Sequence, residues 1–317
     1  MLSRTAENLY WLARYMERAE TMARLLEVGY RMAMMPSAAE GYRNEWASLI
    51  AASGAATDFH AKFGEEVRQR DVETWLFHDR ENPSSVISCI ERARHNGRSV
   101  RTALTTEMWD ALNGAWLELP AIEREPRTAA LLPKLCDWTK RQGALLRGAT
   151  EASHMRNDGY DFLNIGYCLE RGDNTARLLD VKYYVLLPTT DMVGGSIDTY
   201  QWTTLLRSLS AFRAFHWAYG GEYTPRKIAH FLILNAACPR SLLHCVDQAN
   251  FHLDRLSRAY GRTTGAHDRA RGLVAELAEA RIDAIIGEGL HEFLTRFVAS
   301  NAALGQDVAD GFLFGSP

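Results

Sequence analysis

An all-α, multi-helix bundle built from two pseudo-symmetric halves is the fold that the sequence predicts. Three observations predict it: apolar residues recur at helical spacing along most of the chain, no stretch alternates in the manner of a strand, and a segment near the N-terminus reappears past the middle. The 317 residues, 47% of them hydrophobic, suffice to bury a substantial core.

The first helix is read from Leu9, Leu12, Met16, Ala19, Ala23, Leu26 and Tyr30, which share one face at steps of three and four. Ser3 is its expected N-cap and Pro36 its stop. A second stripe, Val86, Ile90, Ala93, Gly97, Val100 and Leu104, follows Pro83 and Ser84, a good helix start. Further helices are expected over about 43–64, 127–149, 156–186, 198–219, 225–236, 239–260, 266–285 and 287–303. From Gly305 the chain is expected to be loosely held, with 311–317 a flexible tail.

The repeat organises these elements. At an offset of 153, Glu17, Arg18 and Glu20 align with Glu170, Arg171 and Asp173, and Ala23-Arg24-Leu25-Leu26 with Ala176-Arg177-Leu178-Leu179. At 156, Trp46 aligns with Trp202, Phe59-His60 with Phe215-His216, Pro83 with Pro239, Ser85 with Ser241 and Cys89 with Cys245. The change of offset is assigned to the loop around Gly194-Gly195. The expectation is one domain, 1–310, made of halves 1–153 and 154–310 about an approximate two-fold axis.

A formal charge of −3 gives no field able to gather nucleic acid or an anionic membrane. Charged residues interrupt the N-terminal apolar run from Arg4 to Arg18, so neither a signal peptide nor a membrane span is expected. The five cysteines show no paired spacing and read as reduced, which points to the cytoplasm. Lysine occurs five times among 36 basic residues, and the remaining arginines suit bidentate pairing with carboxylate or phosphate.

Glu-Arg pairs at Glu17-Arg18, Glu91-Arg92 and Glu170-Arg171 stand out; a fourth position has become Asp247-Gln248. Adjacent helical residues diverge by about 100°, so the two members of a pair are not expected to face one partner. Beside the apolar stripes run charged ones: Glu17, Glu20, Arg24, Glu27 and Arg31; Glu170, Asp173, Arg177 and Asp180; and Glu91, Arg94, Arg98 and Arg101.

Two readings stay open. These charges are interhelical ion pairs that fix the bundle's register, with Ala19 and Gly172 allowing close approach. Alternatively, Glu17, Glu20, Glu170 and Asp173 combine with Arg92, Arg94, Arg98 and Arg101 in a site for a carboxylate- or phosphate-bearing ligand. No metal is expected, since these helices lack a Glu-x-x-His pair. His60 and His216 are weaker candidates for a symmetric pair, and Trp46 and Trp202 are expected core anchors. Hydrolase, phosphate-loop and dinucleotide signatures are missing, so no cofactor is expected.

LSRTAENLYWLARYMERAE, SVISCIERARHNGRSVR with EMWDALN, ERGDNTARLLDVKYY and FLILNAACPRS together closely resemble the bacterial alpha-E family, an α-helical domain with an ER motif. The resemblance spans nearly the whole chain. His95, Gly97 and Gly172 depart from the usual pattern without removing a charged motif position. Glu17, Arg18, Glu91, Arg92, Glu170 and Arg171 carry over as the family signature, with no catalytic role attached. The resemblance implies a circularly permuted ATP-grasp protein as partner, often with a transglutaminase-like protease nearby, and hence amide or peptide bond chemistry. The expected function is that of an accessory or co-catalytic partner in such a system, leaning against catalysis by the isolated chain. Its rivals are an enzyme using the ER-helix residues on an anionic small molecule or peptide, and a plain helical scaffold.

Overall fold

The computed structural model describes residues 1–34, 45–185 and 196–315, and all regular elements among them are helices. The N-terminal part holds α1 (Ser3–Ala33), α2 (Glu45–Ser53), α3 (Ala56–Phe63), α4 (Gln69–Glu73) with a π turn at Thr74–His78, α5 (Val86–Ser99), α6 (Thr106–Arg124) and α7 (Leu132–Ser153). The remainder holds α8 (Asp158–Val185), α9 (Ser196–Ser208), α10 (Phe212–Tyr219), α11 (Pro225–Ile233), α12 (Leu242–Tyr260), α13 (Gly265–Glu279), α14 (Ile282–Glu288) and α15 (Leu290–Gly311). Among the described residues, no helix is long and apolar enough to cross a membrane.

Two long helices form the centre. α1 packs along α8; α5 and α7 close around α1, α12 and α15 close around α8, and α2 and α9 each lie against both central helices. The apolar stripe read from the sequence is buried in α1, but so is the rest of its surface: every residue from Met16 to Gly29 except Arg18 is buried. A helix enclosed on all sides must bury its charged stripe too, and this places Glu17, Glu20 and Arg24 inside the protein.

The close approach of α1 and α8 falls at Gly166 instead of at Ala19 and Gly172. A Cβ at Gly166 would lie 2.4 Å from the Tyr10 carbonyl oxygen, whereas one at Gly172 would meet Cys245 and Phe297 at ordinary contact distance. Trp46 and Trp202 are buried, as core anchors should be.

Several element boundaries differ from expectation for local reasons. Ser3 lies inside the first turn of α1 and makes no capping bond. The second stripe starts one residue later than Ser84, where the Ser85 hydroxyl accepts from the Ser88 N–H, and the helix ends at Ser99. The expected helix 43–64 breaks at Gly54, and 198–219 breaks at Ser210, both at positive φ. Helix 266–285 ends at Glu279, and α6, absent from the expected set, is built on Met108, Leu112, Ala115 and Leu119 behind the cap Thr105. Among the described residues, the chain from Gly305 to Gly315 is held in place. α15 runs to Gly311, Leu304 and Val308 are buried in it, and Phe314 packs on Tyr10 and Phe162. Pro36 and the loop around Gly194-Gly195 lie outside the described residues.

Candidate functional site

The two central helices are joined by their ER motifs. The Arg18 guanidinium donates to both oxygens of Glu170 at 2.6 and 3.0 Å, and Arg171 donates to both oxygens of Glu17 at 3.1 and 2.9 Å. Each motif's arginine grips the other's glutamate. Both members of a pair therefore do face the same helix, because an arginine's flexible stem carries its fork around the 100° that separates the Cβ directions. Arg14 adds a second fork to Glu170 at 2.7 Å and holds Tyr10 Oη at 3.0 Å.

The Glu17 end carries more. Arg147 of α7 reaches Glu17 Oε2 at 3.0 Å and Glu20 Oε2 at 2.6 Å. Arg240, in the turn before α12, donates to Glu17 Oε1 at 3.0 Å and Glu20 Oε1 at 2.7 Å. Arg24 also binds Glu20, at 2.5 and 3.1 Å, and turns its remaining nitrogen to the Ser208 carbonyl and the Ser210 hydroxyl. Gly143 makes room for this: a Cβ there would lie 2.6 Å from Glu20 Oε2. Two carboxylates thus sit among four guanidinium groups.

Burial pushes the Glu17 carboxyl up, but Arg171, Arg240 and Arg147 more than offset it and hold the group well below the ordinary range. Glu20, pushed up by burial and by Glu17, is likewise brought down by Arg24, Arg240 and Arg147. At Glu170 the contest between burial and its arginines Arg18 and Arg14 ends at about 2. Carboxylates ionised this firmly are poor general acids or bases near neutral pH. Arg240 shows the opposite strain: burial and the nearby Arg24 pull it down to about 10 despite both glutamates.

The cluster opens into a cleft of about 1100 Å³. Its walls are α1, α7, the Leu209–Ala211 segment with Ala214 of α10, and the turn Cys238–Arg240. Cations on the lining are Arg24, Lys134, Lys140, Arg141, Arg147 and Arg240, against the carboxylates Glu20 and Asp137. That excess makes the cleft electropositive. Lys140 is occupied by Glu27 and Asp137, at 2.7 and 2.8 Å. Arg141 is exposed and has no ion pair among the described residues.

The residues expected to act together are divided among three places. Glu17, Arg18, Glu20, Arg24, Glu170 and Arg171 meet at the α1–α8 junction. Asp173 and Arg177 form a separate pair at 2.7 Å, with Arg177 lying over Gly54. The α5 residues do not join the glutamates. Glu91 pairs with Arg80, Arg92 lies over the Tyr15 ring, Arg94 stacks 3.9 Å from the Trp116 centroid and Arg98 is exposed, while Arg101, past the end of α5, lies over Trp109. α5 turns this face outward toward α6, since Ala93 and Gly97 occupy its inner face. His60 bonds the Gly64 carbonyl and His216 the Tyr223 hydroxyl, and neither lines the cleft. Sequence reading missed Arg14, Arg147, Arg240 and Arg141. A signal existed for Arg147 in Gly143, four residues earlier, a glycine in mid-helix that calls for a close neighbour.

A family model for Alpha-E, a predicted alpha-helical domain with a conserved ER motif, matches residues 1–313. The chain belongs to the Alpha-E family. Among curated relatives, an uncharacterised protein of Mycobacterium bovis and two of Mycobacterium tuberculosis are each 22% identical to this Alpha-E chain over 327 aligned positions. The match takes in 97% of this chain and 36% of each relative, so the chain spans about a third of their length. No solved structure is significantly similar to this Alpha-E chain.

Proposed function

We propose that this Alpha-E protein is a non-catalytic helical component that holds an anionic ligand for an enzyme making amide or peptide bonds. The observation that carries the ligand half is the surplus of guanidinium over carboxylate at the head of the cleft, where Arg24, Arg147 and Arg240 converge. A bound carboxylate or phosphate would offset the positive charge that Arg24, Arg147 and Arg240 hold in excess of Glu17 and Glu20. The partner is a circularly permuted ATP-grasp protein, with a transglutaminase-like protease as a further member. This half is supported by the family resemblance and by relatives that carry much additional sequence beside the match. A reducing, cytoplasmic setting belongs to the same reading, supported by five free cysteines.

A stand-alone enzyme using Glu17 or Glu170 as acid or base is disfavoured, because each carboxylate is enclosed and held ionised by its arginines. A bare scaffold leaves the charged cleft without a purpose.

Duplication into halves 1–153 and 154–310 is part of the proposal, supported by paired detail. Ser85 and Ser241 both cap a helix, Cys89 and Cys245 both donate to the carbonyl of a preceding proline, and Gly64 and Gly220 both end a helix at positive φ. The packing of α5 and α7 on α1 matches that of α12 and α15 on α8, and α2 and α9 each reach across to the other half's central helix.

Melting curves with phosphate or glutamate, against chloride at equal ionic strength, test the ligand half. The parent is expected to gain stability and Arg240→Met to show no gain; a parent indifferent to every anion removes this half. Calorimetric titration with the ATP-grasp protein, with ATP and Mg²⁺, tests the other. Absence of binding heat removes it.

A further inference from the structure

We propose that the ligand of this cleft is an extended acidic peptide of about six residues, laid along α7 with one carboxylate at Arg240 and Arg147 and others at Arg141 and Lys134. The inference rests on the anion-holding reading above and narrows it to a chemical class.

The length follows from the wall. Lys134, Asp137, Arg141, Ala144 and Arg147 recur at steps of three and four, so one face of α7 lines the cleft from end to end. From Lys134 to Arg147 that face runs about 20 Å at 1.5 Å per residue. An extended chain covers it in about six residues at roughly 3.3 Å each. A phosphate or a single carboxylate would leave most of the 1100 Å³ empty.

Burial grades along this line. Side-chain exposure is 5% at Arg24, 12% at Arg240, 25% at Arg147 and 67% at Lys134. Arg24, Arg147 and Arg240 already hold carboxylates of the chain itself, but their number exceeds those carboxylates. Arg141 and Lys134 wait at the mouth, the first unpaired and the second with a single contact to Glu125 at 3.4 Å. The lining contains no aromatic side chain, so a nucleobase would find no stacking platform, which disfavours nucleotides and nucleic acid. The small apolar residues Ala130, Pro133, Ala144, Leu209, Ala211 and Ala214 instead suit the methylene stems of Glu side chains.

Ser210 occupies the left-handed position that closes α9, where its N–H donates to the Arg207 carbonyl and that of Ala211 to the Leu206 carbonyl, and this turn sets its hydroxyl 3.2 Å from Arg24 Nη1 on the cleft wall.

The test is fluorescence anisotropy of fluorescein-labelled hexaglutamate on the full chain, with free glutamate, inorganic phosphate and hexathymidylate as competitors. Arg141→Ala/Lys134→Ala removes the two exposed cations and Arg240→Met the buried one. Hexaglutamate is expected to bind on the order of 100-fold tighter than glutamate, and the double substitution to weaken it on the order of tenfold. Hexaglutamate no tighter than glutamate, while glutamate or phosphate binds and is lost in Arg240→Met, overturns the peptide and leaves the small-anion reading standing. Binding unaffected by Arg141→Ala/Lys134→Ala, or hexathymidylate displacing the peptide more strongly than hexaglutamate itself, also overturns it. If none of the ligands binds, both readings fall together.

Discussion

Replacing Glu170 with Gln keeps the shape of the side chain and removes its charge, leaving Arg14 and Arg18 facing a neutral amide. The site is closed: Glu170 is 2% exposed and receives three charge-assisted hydrogen bonds of 2.6 to 3.0 Å. Breaking a buried ion pair from one side costs about 3–5 kcal/mol. The lower end applies, because the edges of both arginines reach water. A second route gives the same size, since lowering the carboxyl from 4.5 to about 2 corresponds to about 3 kcal/mol of stability at neutral pH. In a chain of this size that is a fall of roughly 6 °C in Tm, or a proportionate shift of the urea midpoint. Scanning fluorimetry and urea unfolding of Glu170→Gln, Arg18→Gln and the double variant measure it. Coupling between the two should be about 2 kcal/mol, the double variant losing much less than the sum. A Glu170→Gln protein melting within about 1 °C of the parent would show that the ER motif does not fasten α1 to α8, and would return Glu170 to the list of possible acids and bases.

Other outcomes follow from the same geometry. Glu17, Glu20 and Glu170 all have folded-state values below their unfolded ones, so the stability they lend is present above the ordinary carboxylate range and is lost as pH falls below it, for Glu170 as pH approaches about 2; circular dichroism should follow acid unfolding on that side of the range. Gly166→Ala places a Cβ against the Tyr10 carbonyl, a backbone atom that cannot swing aside, and should cost on the order of 2 kcal/mol in urea unfolding, whereas Gly148→Ala on an open face should be neutral or slightly stabilising. Gly143→Ala should displace the Glu20 carboxylate and lower both stability and anion-induced stabilisation. Ser210→Gly relieves an unfavourable backbone and should hold or raise the unfolding free energy, by up to about 1 kcal/mol, while weakening anion binding through loss of the hydroxyl beside Arg24.

The all-helical fold was legible because amphipathic stripes such as Leu9 to Leu26 and Val86 to Ala93 report burial directly. Their ends were less legible. Gly54 and Ser210 interrupt segments whose apolar pattern continues across the break, and in the second case the signal is a backbone angle that no residue type announces. The ER residues were found as candidates, yet their geometry was not, because the argument from Cβ directions ignored the reach of arginine. The Arg94 and Arg98 stripe looked like part of the site since charge beside an apolar stripe marks a boundary without saying which neighbour lies across it. Arg147 and Arg240 come from remote segments and reach Glu17 only through tertiary packing.

Under the proposed duplication the two glutamates begin as equals, and their differences locate the specialised side. Glu170 has two arginine partners, Arg18 and Arg14. The counterpart of Arg14 at the offset of 153 is Tyr167, whose buried hydroxyl has no hydrogen-bond partner, and Glu17 instead draws on Arg147 and Arg240. At the offset of 156 the counterpart of Arg240 is Ser84, and that of Ser210 is Gly54, over which Arg177 lies as Arg24 lies beside Ser210. One copy keeps glycine where the backbone wants it and a simple reciprocal ion pair. The other closes its helix with Ser210 in a Schellman turn and carries a crowded Arg240 and a charge surplus on the wall of one cleft, and it is the last two, which have no counterpart in the first copy, that the proposed anion-holding role would explain.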